Sequence, residues 1–415
     1  MLDTVQVDDK IQYYSLDNIH KKSNMSAHYY MIFGERSNGK TFSVLELMVK
    51  NFWEKGEQGV YLRRYEEHIK GNRGKKVFAG IVAAGIIEKI TDGEWTGVEY
   101  YNREYYFSRK SETNGSIVKH SAPFCMAMAV SQAESYKGNA FPYVTTLCFD
   151  EFLTRDRYMI DEYVEFNSIV STITRLSARL TIYLLGNTVN YYSPYFDEMG
   201  IDITDMKPGD IKECPYGRMI NGRLVEGMLM AEYVPSPVKE GEGKDSDVYF
   251  AFENKKLSMI TEGAWELPLY PHSPMTILGK NIIETFFIDY RDIILQGDIV
   301  MQDDSLFIYI HLKTGKIKEV EKKKEYDKKM RDDPTFYKQN KGQAYSGPMK
   351  MVYSLNAGPG MHESKNLIGN YKHKLAERIG NMFLNDLVYY QNNAIGMLVA
   401  DYIDISIAQS SYRKH

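Results

Sequence analysis

An α/β protein with a mainly parallel sheet is predicted by three observations. They are a glycine-rich turn set between a strand and a helix, an apolar run that ends in two acids, and a repeated alternation of strand-like and helix-like segments. The turn spans residues 34–41, G-E-R-S-N-G-K-T, and follows the apolar run 28–33. It has the form of a phosphate-binding loop. Gly34, Glu35, Arg36, Ser37, Asn38 and Gly39 would curl backbone N–H groups around phosphate oxygens, Lys40 would reach the β and γ phosphates, and the Thr41 hydroxyl would ligate Mg²⁺. Residues 42–50 carry apolar side chains on a helical period, so the loop opens a helix whose N-terminus faces the anion. The expected ligands are therefore ATP and Mg²⁺.

The acids come at 144–151, V-T-T-L-C-F-D-E. A buried strand ending at Asp150 puts that carboxylate at the carboxyl edge of a parallel sheet, beside the phosphate loop, where it can complete the metal site. Glu151 is then placed to orient and deprotonate the attacking water. Between the two motifs, 59–64 reads as a strand, 66–70 begins a helical stretch, 98–107 is a hairpin turning at Asn102-Arg103, and 117–130 supplies further strand. After Glu151, 159–176 has helical periodicity and 180–185 is a buried strand ending at Gly186-Asn187-Thr188. Asn187 is either a sensor of the γ phosphate or an ordinary turn residue.

Composition restricts the remaining possibilities. The chain has 415 residues, enough for two or three domains, and a formal net charge of -4, so nucleic-acid contact requires a local basic patch. No apolar stretch reaches the ~20 residues that cross a bilayer, and the first nine residues lack a basic-then-apolar leader, so a non-secreted protein without a membrane span is expected. Cys125, Cys148 and Cys214 are too widely spaced for a disulfide framework or a zinc site.

Beyond residue 200 the pattern changes. Residues 201–255 hold short strands such as 223–230 and a polar, Gly/Pro-punctuated loop at 235–247, and are read as a small connecting subdomain. From 256 a β-rich unit begins with strands at 275–278, 282–288, 298–301 and 306–311, followed by helix at 375–390. A nuclease would need acids around two metal ions, and Asp289, Asp292, Asp298, Asp303 and Asp304 are candidates by type. Their contexts, Gln296-Gly297-Asp298 and Gln302-Asp303-Asp304-Ser305, read as hairpin turns. The lysine-rich 313–331 is either a nucleic-acid patch or a solvated face, since Glu319, Glu321, Glu325 and Asp327 interrupt it.

Several stretches in the same order resemble the DNA-packaging (encapsidation) ATPases of phi29-like small tailed phages, relatives of the terminase large subunit. They are the Gly34 loop with Arg36 at its third position, 56–65 (G-E-Q-G-V-Y-L-R-R-Y), 137–144 (K-G-N-A-F-P-Y-V), 149–152 (F-D-E-F), and 186–189 with 194–196. Residues 370–385 also resemble the family's C-terminal helix. The resemblance implies a P-loop ATPase domain of the ASCE (RecA-like) kind at 1–200, a linker at 201–255 and an RNase H-like domain at 256–415 that is a vestigial nuclease. It implies ATP-driven translocation of double-stranded viral DNA into a preformed prohead.

The implied partners are the prohead portal, a packaging RNA and a homo-oligomeric ring, usually a pentamer. The implied place is the host cytoplasm, on the prohead and not in the mature virion. Arg175 matches the position of an arginine finger donated in trans, though a helix-end arginine fits as well. Lys137 matches another basic residue at the subunit junction, and Arg36 one that answers the γ phosphate or is a solvated loop cation. Glu66 departs from the family, where a lysine follows Arg-Arg-Tyr, so that lysine's role does not transfer. The rivals are a terminase with an active nuclease, a two-lobed helicase, and a capsid component that only binds nucleotide. Residues 256–415 show no second lobe with arginines, and the Asp150-Glu151 pair argues against mere binding.

Overall fold

Tyr29 to Gly34 contribute one partly exposed and five buried positions, the signature of a strand covered on both faces. In the computed structural model this strand lies inside a ten-stranded sheet. The structure describes residues 14–411 except 25–26, 36–37, 155–157, 176–178, 189–192, 221–222, 236–269, 274–276, 292, 303, 314–316, 343–349, 357–362 and 369–373. Contacts divide the chain into two units, Met1–Leu267 and Pro268–His415.

The first unit runs α1 (Asp17–Ser23), β1 (Tyr29–Gly34), α2 (Lys40–Lys55), β2 (Gln58–Arg63), α3 (Gly71–Lys75), α4 (Ala79–Ala83), α5 (Ile86–Ile90), β3 (Gly97–Tyr101), β4 (Glu104–Lys110), β5 (Ile117–Lys119), β6 (Cys125–Ala129), α6 (Ala133–Tyr136), β7 (Val144–Asp150), α7 (Glu162–Thr174), β8 (Thr181–Asn187), α8 (Pro194–Met199), β9 (Ile211–Ile220) and β10 (Arg223–Val234). The order is β3-β4-β6-β2-β7-β8-β1-β10-β9, with β5 paired to β4. From β6 through β10 every neighbouring pair is parallel. Helix α2 turns Val44, Leu45, Met48, Val49 and Phe52 inward, spaced as one helical face, and stops at Gly56, whose φ of 70° closes the helix with a left-handed cap. The β3–β4 hairpin turns at Asn102 and Arg103, both with positive φ (51° and 64°), which matches the right-handed twist of the paired strands.

Two local expectations change. The helical stretch expected at 66–70 is a single 3₁₀ turn, Glu66–His68, followed by the short α3, α4 and α5, because glycines at 71, 74, 80 and 85 interrupt any longer helix. Residues 211–234, expected in a connecting subdomain, are the β9–β10 hairpin that extends the first sheet. β10 pairs in parallel with all six residues of β1. The loop expected at 235–247 lies outside the described residues beyond 235.

The second unit holds β11 (Ile282–Tyr290), β12 (Ile293–Gln302), β13 (Ser305–Leu312), α9 (Lys318–Asp332), α10 (Pro334–Asn340), β14 (Met351–Ser354), β15 (Glu363–Ser364), α11 (Lys374–Leu384), β16 (Val388–Tyr390) and α12 (Asn393–Ser411). Its sheet order is β15-β14-β11-β12-β13-β16, an antiparallel meander β11–β12–β13 flanked by parallel strands. The helix expected across 375–390 ends at Leu384. Asp386, at a φ of 55°, and the Leu387 N–H bond to the Met382 carbonyl turn the chain into the β-forming Val388-Tyr389-Tyr390. Of the strand expected at 275–278, residues 275 and 276 lie outside the described residues and 277–278 are not strand. Among the described residues no helix is long and apolar enough to cross a membrane.

Candidate active site

Because β1, β8 and β7 run parallel, their carboxyl ends meet at one edge of the sheet. Gly34 sits level with Asn187, and Asp150 level with Leu185, so the loop after β1 and the acids after β7 flank a single crevice. The two motifs join there. The Thr41 hydroxyl, at the start of α2, donates to Asp150 Oδ1 at 2.9 Å. Gly39 takes a φ of 93°, a conformation open to glycine and strained for any side chain, and this lets the loop pass directly into the helix.

Lys40 is buried, with 6% of its surface exposed, and its ammonium donates to the Glu35 carbonyl at 2.6 Å and to Asn38 Oδ1 at 2.9 Å. Burial lowers its pKa to about 8, against the opposing pull of the Asp150 and Glu35 carboxylates. Three further buried polar atoms at this edge, Asn38 Nδ2, Arg63 Nε and Thr188 Oγ1, have no hydrogen-bond partner. Such donors suit an anionic ligand rich in acceptor oxygens.

Glu151 has a φ of 60°, the left-handed region, at the sharp turn leaving β7. Its carboxylate is held by Arg63 Nη2, while Arg63 Nη1 reaches Asp150 Oδ2 at 3.2 Å and the Tyr61 hydroxyl at 3.1 Å. Tyr61 in turn donates to Asp150 Oδ2 at 2.7 Å. Arg63 thus ties the two acids together from the end of β2. The neighbouring Arg64 faces the other way. Its Nε pairs with the fully buried Glu162 at 2.8 Å, and its two terminal nitrogens hold the carbonyls of Glu151 (3.1 Å) and Phe152 (2.7 Å). Glu162, in the first turn of α7, also accepts from the Met159 N–H and the Tyr195 hydroxyl. The backbone of the acidic turn after β7 is therefore pinned by a buried ion pair.

Of the residues expected from sequence, Gly34, Glu35, Asn38, Gly39, Lys40, Thr41, Asp150, Glu151 and Asn187 come to this edge. Arg36 and Ser37 lie outside the described residues. Asn187 ends β8, and the N–H of the next residue, Thr188, donates to the Gly34 carbonyl at 3.1 Å. Arg175 is exposed at the C-terminal cap of α7. Lys137 is exposed at the end of α6 and paired with Glu134. Neither belongs to the crevice of its own chain as the contacts stand. Sequence reasoning missed Tyr61, Arg63, Arg64, Glu162 and Thr188. The available signal was two adjacent arginines at the carboxyl end of a buried strand, where a charge needs a partner.

Among the described residues, the acids of the second unit form no comparable centre. Asp289 is exposed on β11, Asp304 sits in the β12–β13 turn at a φ of 59°, and Asp292 and Asp303 lie outside the described residues. Gln296-Gly297-Asp298 is the interior of β12 and not a turn. The Phe286 ring lies across Gly297, where a Cβ would approach it to 2.2 Å, so glycine here makes room for an aromatic neighbour. Asp298 is buried and already satisfied by Thr285 (2.9 Å), Gln296 (3.0 Å) and His311 (3.1 Å). Among the described residues no group of three or more His, Cys, Asp or Glu could hold a metal ion. Residues 318–332 form the charged helix α9, with Lys329 paired to Glu325.

Comparison with known proteins follows the same lines. Residues 8–205 match the family described as podovirus DNA encapsidation protein (Gp16). The DNA packaging protein of Bacillus phage B103 is 25% identical over 253 residues, covering 55% of this chain and 68% of that protein. The DNA packaging protein of Bacillus phage phi29 is 25% identical over 212 residues, covering 46% of this chain and 57% of that protein. A solved structure of the Phi-28 gp11 DNA packaging motor aligns with a TM-score of 0.51 at 16% identity, covering 94% of this chain and 97% of the other, a likeness of fold.

Proposed function

We propose, from the match of residues 8–205 to the family described as podovirus DNA encapsidation protein (Gp16), that the chain is the ATPase of a viral genome-packaging motor and drives double-stranded DNA into a prohead. The observation that carries the ATPase reading is the 2.9 Å bond from the Thr41 hydroxyl to Asp150, which brings two stretches 109 residues apart into one seat. The strand β8 between the phosphate-loop strand and the acid-bearing strand supports an ASCE-type arrangement. In the second unit, the order β13-β12-β11-β14-β15 supports an RNase H-like domain. The satisfied Asp298 supports a vestigial one.

In this reading Lys40 and the loop N–H groups bind the phosphates, and Asn38 and Thr188 offer them further donors. Thr41 and Asp150 would hold Mg²⁺, which neutralises charge on the phosphate oxygens when bound. Glu151 accepts the proton of the attacking water once it leaves Arg63. Asn187, at the edge beside the phosphate loop, senses the γ phosphate. Arg175 and Lys137, exposed and outside their own crevice, are available to a neighbouring subunit in a closed head-to-tail ring, with a pentamer, the portal and a packaging RNA as the expected assembly. DNA contact is to phosphates and weakens with salt. The protein acts in the host cytoplasm and leaves before the virion matures.

Phosphate release from the full chain tests the chemistry. Glu151→Gln should abolish turnover while retaining ATP binding, and unchanged turnover rejects Glu151 as the base. Purified proheads with DNA and ATP test the role, since packaged DNA becomes resistant to added nuclease. DNA that stays digestible under competent conditions counts against it.

A further inference from the structure

The segment just before α1 touches the phosphate loop from behind. The Tyr14 N–H donates to the Asn38 carbonyl at 2.8 Å, and the Tyr14 carbonyl accepts from Ser43 Oγ, in the first turn of α2, at 2.5 Å. The same serine hydroxyl lies 3.3 Å from the Gly39 carbonyl. One residue thus brackets the loop and the start of its helix with its backbone. Its side chain is anchored elsewhere. The Tyr14 hydroxyl donates to Glu232 Oε2 at 2.6 Å, across 218 residues of sequence. Glu232 lies on β10, level with Ile32 of β1, and is only 6% exposed.

A carboxylate in the middle of a buried parallel strand is costly unless something needs it. Burial raises the Glu232 pKa, and the bond from Tyr14 pulls it back. No step of the hydrolytic chemistry above uses it. What it does do is fix the one side chain whose backbone holds Asn38 and Ser43, and so the curl that aims Lys40.

We propose that Tyr14 and Glu232 form a latch that positions the phosphate loop, so that this pair governs nucleotide affinity from outside the crevice. The inference rests on the ATP-binding reading of that crevice. Tyr14 and Glu232 are positioning residues, since neither touches the reacting atoms. Loss of the latch lets the loop relax, which weakens the nucleotide-bound and transition states alike and raises KM with little change in kcat. The latch also ties the loop to β10, a strand the fold adds beside β1.

The test uses the full chain, titrated with ADP and Mg²⁺ and assayed for phosphate release. Tyr14→Phe keeps the ring and removes the hydroxyl, and should raise both the ADP Kd and the ATP KM roughly tenfold, the worth of one hydrogen bond to a charged group. Glu232→Gln retains an acceptor for the hydroxyl and should stay within about twofold of wild type, whereas Glu232→Leu should match Tyr14→Phe. The double variant Tyr14→Phe/Glu232→Leu leaves no buried carboxylate stranded and should be no worse than either single change. A folded Tyr14→Phe or double variant with wild-type Kd overturns the latch, as does a fall in kcat at unchanged KM.

Lys40→Ala separates this from failure of the underlying reading. If that change leaves ADP binding intact, the crevice is not the nucleotide site. If it abolishes binding while Tyr14→Phe has no effect, only the latch is wrong. Should the Tyr14 variants not fold, amide exchange on the wild-type protein decides. The Tyr14 N–H should gain protection on ADP binding together with the amides of Gly39 and Lys40, and independent behaviour overturns the proposal.

Discussion

Raising the pH should release nucleotide through Lys40. Burial lowers its pKa from 10.5 to about 8, so the nucleotide-free protein loses the charge that grips phosphate within reach of ordinary assay conditions. At about pH 9 roughly one molecule in ten retains the protonated amine, so the Kd for Mg–ADP should rise roughly tenfold between about pH 7 and pH 9. Binding restores the proton. Near pH 8 each ADP bound should take up roughly half a proton, read by titration calorimetry in two buffers of different ionisation heat. The sign for stability runs the other way. The ammonium is disfavoured in the fold, so its cost, about 3 kcal/mol from the lowered pKa, is full below about pH 8 and is relieved between pH 8 and 10.5. Lys40→Met should therefore raise the melting temperature of the nucleotide-free protein at neutral pH while abolishing binding. A flat Kd and no proton uptake across this range would refute the argument.

Arg63→Gln should free Glu151, whose side chain is 48% exposed in the pair, so the restraint is worth about 1 kcal/mol and basal hydrolysis at saturating Mg–ATP should rise about fivefold; an unchanged or reduced rate rejects the restraint. Glu162→Ala strands Arg64 in the core and should cost about 3 to 5 kcal/mol, measured as the shift of the first unit's unfolding transition, with a shift near zero arguing against the pair as the support of the turn after β7. In the second unit, burial raises the Asp298 pKa but hydrogen bonds from His311, Gln296 and Thr285 outweigh it and lower the value, while the bond to Asp298 raises that of His311 against burial. The pair's contribution should be full between the ordinary carboxylate and imidazole pKa values, fading as pH rises through the raised imidazole value or falls through the lowered carboxylate value. The midpoint difference between wild type and His311→Gln should accordingly shrink as pH rises through the raised imidazole value in chemical unfolding, and a constant difference would discount the charge.

The phosphate loop and the Asp150-Glu151 pair were legible because each is a local pattern, and strand polarity alone brings their ends together. Asn102-Arg103 was legible for the same reason, since the turn is specified by its own neighbours. Arg63 and Arg64 were visible as residues but not as partners. Their roles depend on which acids the end of β7 and the start of α7 deliver, 88 and 98 residues away. The parallel pairing of β10 with β1 joins residues 200 apart, and nothing in the local alternation of 223–234 says which edge it will meet. Gln296-Gly297-Asp298 misled because glycine beside acid reads as a turn, whereas here it admits the Phe286 ring.

The position of β10 has a practical bearing on where this protein can be cut. The match to the encapsidation-family model ends at residue 205, an inviting place to end a fragment. A chain ended there would leave all six residues of β1 without their neighbour on one side and would uncover a flank normally sealed by the buried Leu229, Met230 and Ala231. Such a piece should aggregate or pair with itself, whereas one that runs through Val234 keeps the sheet's own border.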